Sequence, residues 1–184
     1  SYSYHGNGYL ENAIIHKYPS DLDIFFLASM AEYLAATGDR AFLKEKIPFH
    51  PGNQNEFAGK RPSYAKDDMV LDHIRCAFYH LKEFVKRGPN GLIRIWDGDW
   101  SDGIVWENGE KYDANKTIQS GESIPNTQMA LYAMPLMAEV IESDDAVLAG
   151  EMRAFAAELL EPIRKEFLGK YFARAWLRDR NDQP

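Results

Sequence analysis

Val70-Leu71-Asp72-His73-Ile74-Arg75-Cys76-Ala77-Phe78-Tyr79-His80-Leu81-Lys82-Glu83-Phe84-Val85 is the stretch that decides the fold class. Its apolar members Val70, Leu71, Ile74, Ala77, Phe78, Leu81, Phe84 and Val85 recur with the period of about 3.6 residues that belongs to an α-helix. Asp67-Asp68 stands before the run and Gly88-Pro89 stops it, as helix ends require.

The same pattern extends in both directions. Upstream, Ser20 followed by Asp23 reads as a helix start. Ile24, Phe25, Leu27, Ala28, Ala31, Leu34 and Ala35 carry the stripe, and Thr37-Gly38-Asp39 supplies a C-terminal glycine. Phe26, Met30 and Tyr33 lie off that stripe, so this helix is expected to be buried on several sides. Downstream, Gly121-Glu122-Ser123 opens a helix with Ile124, Leu131, Met134, Ala138 and Ile141 on one side. Pro125 suits its first turn, and Pro135 is expected to kink it. Asp144-Asp145 caps a further helix through Val147, Leu148, Met152, Phe155, Leu159, Ile163 and Phe167, ending at Gly169, with Pro162 as a second expected kink. Tyr171 to Leu177 alternates like a short strand. The reading is an all-α class, about four main helices with long loops and short strand pieces.

Two connections are long, roughly Ile47 to Lys66 and Gly88 to Ser120, against a usual length of about 4–6 residues. Loops of that size in a helical domain are usually functional. The first, around Pro48-Phe49-His50-Pro51-Gly52-Asn53-Gln54-Asn55, is poor in reactive groups. The second holds Trp96-Asp97-Gly98-Asp99-Trp100-Ser101-Asp102-Gly103 and, a little further on, Trp106.

That composition fits the cleavage of a glycosidic bond. The reaction needs a carboxylic acid to protonate the leaving oxygen, flat aromatic faces to support the sugar, and carboxylates to hold its hydroxyls. Trp96, Trp100 and Trp106 offer the faces, each with an indole donor at its rim. Asp97, Asp99 and Asp102 crowd like charges together, an arrangement that favours keeping one acid protonated. The plainer reading is that the Asp-Gly pairs form turns and the tryptophans cover a core.

Composition excludes other classes. With 184 residues and 45% hydrophobic content the chain supports one core. A net charge of −7 gives no basic stripe for nucleic acid. The single cysteine, Cys76, permits no intrachain disulfide or thiolate metal site and reads as a buried, inert thiol. No apolar run of about 18 residues could span a bilayer and no signal-peptide pattern is visible, so no membrane partner and a cytoplasmic location are expected. Asp97-x-Asp99-x-Ser101 is no EF-hand, because Asp102 and Asn108 stand where Gly and Glu are required. His73 and His80 share a helix face without a third ligand and read as surface or packing residues, so no metal is expected. Asn115-Lys116-Thr117 matches a glycosylation sequon by chance, and Tyr4-His5-Gly6-Asn7-Gly8-Tyr9 reads as plain loop, with the lining of a sugar cleft as the alternative.

Gly98-Asp99-Trp100-Ser101-Asp102-Gly103 resembles the Gly-Asp-Trp-Asn-Asp-Gly stretch of glycoside hydrolase family 94, the cellobiose and chitobiose phosphorylases. The flanks agree in order. Ser20-Asp21, Ala31-Glu32-Tyr33, Ala36-Thr37-Gly38-Asp39 and Ala41-Phe42-Leu43 resemble the helix before the family's catalytic loop, and Gly121-Glu122-Ser123 resembles the Gly-Glu-Ser after it. The tail from Tyr171 to Leu177 is similar to related helical glycosidases.

The resemblance implies part of an (α/α)6 barrel, residues 1–184 being one partial catalytic domain. Because the chain begins at Ser1 without Met and stops after Asn181-Asp182-Gln183-Pro184, the fold is expected to continue past both ends. It also implies inverting cleavage of an oligosaccharide. Asp102 falls on the general acid, Trp100 on a residue lining the sugar subsite, and Asp99 on a supporting carboxylate. Trp96, Asp97, Trp106, Asp21, Asp23 and Glu122 complete the substrate-binding candidates, with Glu122 equally readable as a helix-dipole or capping residue. The attacking group is inorganic phosphate as co-substrate, or water activated by a second carboxylate about 6.5–9.5 Å from the acid; no cofactor is implied.

The sequence also departs from the family. His16-Lys17-Tyr18-Pro19 replaces an arginine-bearing lead, Ser101 replaces Asn, and Leu22 stands where a sugar-binding Asp belongs. Asp23 is one position along, rotated by roughly 100° on a helix. The sugar is therefore not carried over from the resemblance. A non-catalytic helical-hairpin module that binds sugar or protein is the alternative, and self-association into a homo-oligomer stays open.

Overall fold

The computed structural model describes residues 20–49, 67–106, 111–179 and 181, with the backbone alone at Asp102. Five α-helices and two short strands follow in order: α1 (Leu22–Thr37), α2 (Val70–Tyr79), α3 (Ala114–Ser120), β1 (Glu122–Ser123), α4 (Ile124–Ile141), α5 (Ala146–Lys165) and β2 (Ala175–Trp176). The all-α expectation holds, and the helices pack as expected of part of an (α/α)6 barrel: α4 rests on both α5 and α1, and α1 on α2. Ile24, Leu27, Ile74, Phe78, Met134, Met137 and Leu159 form the centre of one shared core, all fully buried.

Local chemistry explains most of the helix ends. Gly38 closes α1 in the left-handed region at φ 66°, its N–H donating to the Leu34 carbonyl. Ser123 caps α4 by accepting from Asn126 N at 3.2 Å, with Pro125 in the first turn. Asp145 caps α5 by accepting from Leu148 N at 3.0 Å. At the start of α2, Asp72 reaches back to accept from Asp67 N at 3.0 Å and Met69 N at 3.3 Å, and it pairs with Arg75 at 2.7 Å. Burial pushes the Asp72 carboxyl up, but these donors outweigh it and hold the group below the usual carboxylate value.

Several expectations are corrected. Asp21, not Ser20, is the N-cap of α1, and its side chain makes no capping bond. α1 fully buries Asp23, Ile24, Leu27, Ala31 and Leu34 and packs Phe26 and Met30 partly buried against the same core, while Phe25 and Tyr33 are exposed, so the wider burial expected stops short of Tyr33. The second helix leaves α geometry at His80 and runs on to Val85 as a π-turn, ending at Lys86 with φ 63°. α5 stops at Lys165, short of Gly169, and leaves Val147 and Phe167 exposed. Pro135 lies within α4 and Pro162 within α5, where the sequence placed them.

The connection from Gly88 to Ser120 is not a bare loop, since it contains α3, capped by Asp113 accepting from Lys116 N at 3.1 Å. Only Thr117 of α3 is fully buried, so its sequence shows no apolar stripe. The expected strand from Tyr171 to Leu177 shrinks to β2, which pairs antiparallel with β1 in the register Glu122↔Trp176 and Ser123↔Ala175. This pairing lays the tail of the chain across the start of α4. The segments Tyr4 to Tyr9 and His16 to Pro19, most of the connection from Ile47 to Lys66, Asn108 and the last three residues fall outside the described residues.

Candidate active site

The loop leaves the π-turn through a short, fully buried run, Leu92, Ile93 and Ile95. Backbone bonds from Ile95 N to Gly121 O at 2.9 Å and from Ser123 N to Ile93 O at 2.8 Å lash this run to the approach of α4. Trp96 then adopts φ 53°, a left-handed conformation that costs a non-glycine residue energy and persists only where neighbours enforce it. Those neighbours are present. The Trp96 indole N–H donates to Val85 O at 3.0 Å, its ring stacks on Phe84, and the Arg94 guanidinium lies 4.4 Å over it. The bulk of Trp96 therefore serves the fold, and the bend it makes delivers Asp97 to Gly103.

Asp99 is the anchor of that loop. Its carboxylate accepts from Ser101 N at 3.0 Å, Ser123 Oγ at 2.7 Å, and both terminal nitrogens of Arg174 at 2.8 and 2.6 Å. Paired charge-assisted bonds of this kind fix orientation as well as position. Asp97 is also buried, and its carbonyl accepts from the Trp106 indole at 2.9 Å. The backbone of Asp102 begins a 3-10 turn, Asp102–Ile104, held by Ile104 N donating to Ser101 O at 3.0 Å. The Asp102 side chain lies outside the described atoms. Between the buried groups, Trp100 stands 64% exposed and Trp106 52% exposed.

A second set of bonds joins this loop to α1. Ser20 donates to Gly98 O through both its N–H and its hydroxyl, at 3.0 and 3.1 Å, and accepts from Asn126 Nδ2 at 2.8 Å. Asp21 is buried beside it. Asp23 turns to His80 on the π-turn, with 2.5 Å between Asp23 Oδ2 and His80 Nδ1. Buried polar residues thus gather where α1 and α4 begin and α2 runs out.

Glu122 has a different place. It is fully buried and accepts from Asn90 N, Asn90 Nδ2 and Leu92 N, at 3.0, 2.6 and 3.0 Å. Burial pushes its carboxyl above the ordinary value, against the pull of these donors and of Arg178. The turn sits so close that a Cβ on Gly88 would stand 2.4 Å from Glu122 Cγ. Glu122 therefore neither caps α4, which Ser123 does, nor opens onto solvent.

Of the residues singled out from sequence, Asp97, Asp99, Asp102, Trp100 and Trp106 share one bonded loop, and Asp21 adjoins it through Ser20. Trp96 bonds to Val85 O, Glu122 to the Asn90–Leu92 turn, and Asp23 to His80. Ser20, Ser123, Asn126, His80 and Arg174 had no such role assigned; only the arginine, a lone cation in the apolar tail, gave any hint. His73 packs, its Nε2 2.7 Å from Ile47 O and its ring stacked on Phe49. Cys76 is buried. Among the described residues no group of three or more His, Cys, Asp or Glu is placed to hold a metal ion, and no helix is long and apolar enough to cross a membrane.

An all-helical scaffold with a tethered acidic loop that turns indoles outward has the layout of a carbohydrate-active enzyme of the glycosidase and phosphorylase type. The chain belongs to the glycosyl hydrolase 94 superfamily, whose catalytic-domain profile matches residues 7–182. It is also 38% identical, over 96 residues or 48% of its length, to the cyclic beta-(1,2)-glucan synthase NdvB of Rhizobium meliloti (strain 1021). That match takes up 3% of the relative's own length.

Proposed function

We propose that the chain forms part of a catalytic domain that cleaves a glycosidic bond in an oligosaccharide with inversion. Asp102 protonates the departing sugar oxygen, and Trp100 supports the ring. The observation that carries this reading is the contrast between neighbours: Asp99 is buried under four hydrogen bonds among the described residues, while Trp100 is 64% exposed. A rigid prop directly beside an open aromatic face is what positioning a sugar against an acid requires.

Trp106, also exposed, extends the sugar-facing surface; Asp97 belongs to the loop itself, and Asp21 follows Ser20, which is bonded to Gly98 of the loop. Glu122 and Trp96 act by holding the loop's frame. The attacking group is inorganic phosphate or water, with no cofactor. A β-1,2-linked glucan is the first substrate to test, because the relative that matches over about half of this chain is named for a cyclic β-(1,2)-glucan.

The test measures sugar release by the intact protein from sophorose, the β-1,2-linked diglucose, and from cellobiose, with and without phosphate. The Asp102→Asn variant is expected to lose about two to four orders of magnitude in turnover, the usual worth of a general acid. Unchanged turnover in that variant overturns the assignment. Strict dependence on phosphate selects phosphorolysis over hydrolysis. Binding without release under either condition selects a sugar-binding module.

A further inference from the structure

The pair formed by Asp23 and His80 is not used by the reading above, and its construction is that of a ligand-binding group. Asp23 is 2% exposed, and its Oδ2 meets His80 Nδ1 at 2.5 Å. A carboxylate on Nδ1 fixes the ring and leaves Nε2 as the nitrogen that can bond outward. The His80 side chain is 30% exposed, and Nδ1 is its engaged ring nitrogen among the described residues. Asp23 Oδ1 is buried without a hydrogen-bond partner among the described residues. Buried carboxylate oxygens normally have partners, so this one has capacity for a donor that the described protein does not supply.

Two independent connections tie the pair to the candidate loop. His80 stacks on Phe84, centroids 4.7 Å apart, and Phe84 stacks on Trp96 at the same spacing. On the other side, Asp23 lies in the first turn of α1, and Ser20 at the head of that helix is bonded to Gly98 of the loop. The histidine also sits at the first position of the π-turn, a distortion that recurs at functional sites because it re-aims side chains.

We propose that His80 is a sugar-binding residue, its Nε2 forming a hydrogen bond with a substrate hydroxyl while Asp23 fixes the ring. The assignment rests on the carbohydrate-cleaving function proposed above. It makes α1 and the π-turn a second wall of the binding site, opposite in kind to the aromatic wall at Trp100: one reads ring faces, the other a hydroxyl.

The test compares intact wild type, His80→Ala and Asp23→Asn on the cleaved disaccharide and on its 2-, 3-, 4- and 6-deoxy analogues. One neutral hydrogen bond corresponds to a KM increase of about 3–10-fold in His80→Ala, with kcat changed less. For one deoxy analogue, wild type shows the same loss and His80→Ala shows no further loss, because the two changes remove the same bond. Asp23→Asn shows part of the KM effect. Additive losses for every analogue, or an unchanged KM in His80→Ala, overturn the inference while wild-type cleavage leaves the function standing. Wild type that neither binds nor cleaves overturns both.

Discussion

The indole of Trp96 lies on the ring of Phe84, with centroids 4.7 Å apart and planes 21° from parallel. The two tryptophans that precede the candidate acid Asp102 therefore sit differently, since Trp100 is exposed and Trp96 is stacked and hydrogen-bonded to Val85 O. Trp96→Ala is expected to lower stability by about 2–4 kcal/mol, toward the lower part of the range for large aromatic truncations because the residue is only half-buried. Trp100→Ala is expected to stay within about 0.5 kcal/mol of wild type while raising KM. Urea midpoints at constant m, read beside KM, check the contrast; equal stability losses in both variants would show that Trp100 is also structural.

Arg174 is the second test of the loop's frame. Removing it leaves the buried Asp99 carboxylate with Ser101 and Ser123 as donors. Breaking a buried pair costs about 3–5 kcal/mol, less here because Arg174 is partly exposed, so Arg174→Ala is expected to cost about 2–3 kcal/mol and most of the activity. Arg174→Lys recovers only part of this, since an ammonium cannot form the paired fork. In an Asp99→Asn background the Arg174→Ala penalty is expected to shrink, and full additivity in denaturation experiments would rule out the coupling.

Gly88→Ala probes the packing over Glu122. The added methyl would meet Glu122 Cγ, Cδ and Oε1 at 2.4, 2.6 and 2.8 Å, and that side chain is fully buried with no room to yield. A loss of about 1–3 kcal/mol is expected, the usual cost of overpacking. The same substitution made on Glu122→Ala is expected to be better tolerated. Thermal melts of the single and double variants settle the matter.

Two carboxylates pull the pH dependence of stability in opposite directions. Glu122 titrates above its ordinary 4.5 in the folded chain, so the native state holds a proton that the unfolded state has released. Its contribution is therefore greatest below that value and is lost as pH rises through the folded value. Asp72 titrates below its ordinary 3.8, so its contribution is present above that value and is lost as pH falls through the folded one. Melting temperatures measured from about pH 3 to pH 8 are expected to show a shallower decline toward neutral pH in Glu122→Gln. Asp72→Asn is expected to lose less on acidification. Unaltered slopes in both variants would contradict these shifts.

The helical scaffold was legible in the sequence because its causes are local. Apolar periodicity marked α2 and α4, and short-range capping chemistry marked Gly38, Ser123 and Asp145. The π-turn after Tyr79 was not legible, since the apolar spacing from Val70 to Val85 reads equally well as one continuous α-helix. α3 escaped because Thr117 is its one fully buried residue, which leaves no apolar stripe to read. The site was half legible. The acidic and aromatic residues announced themselves by density, but their roles are set by partners far along the chain: Ser20 lies 106 residues from Asn126, and Asp99 lies 75 from Arg174. Periodicity carries no information about such pairs. That is why Ser20 looked like a cap and is in fact a tether.

The clasp of Arg174 on Asp99 also has a consequence in time. A chain grows at about 5–20 residues per second, so the arginine is made roughly 4–15 s after the aspartate it will hold. During that interval α1 and α2 can already pack, yet the loop carries an uncompensated carboxylate that resists burial. The residue that latches the candidate active site thus belongs to one of the last segments of the described chain to be synthesised.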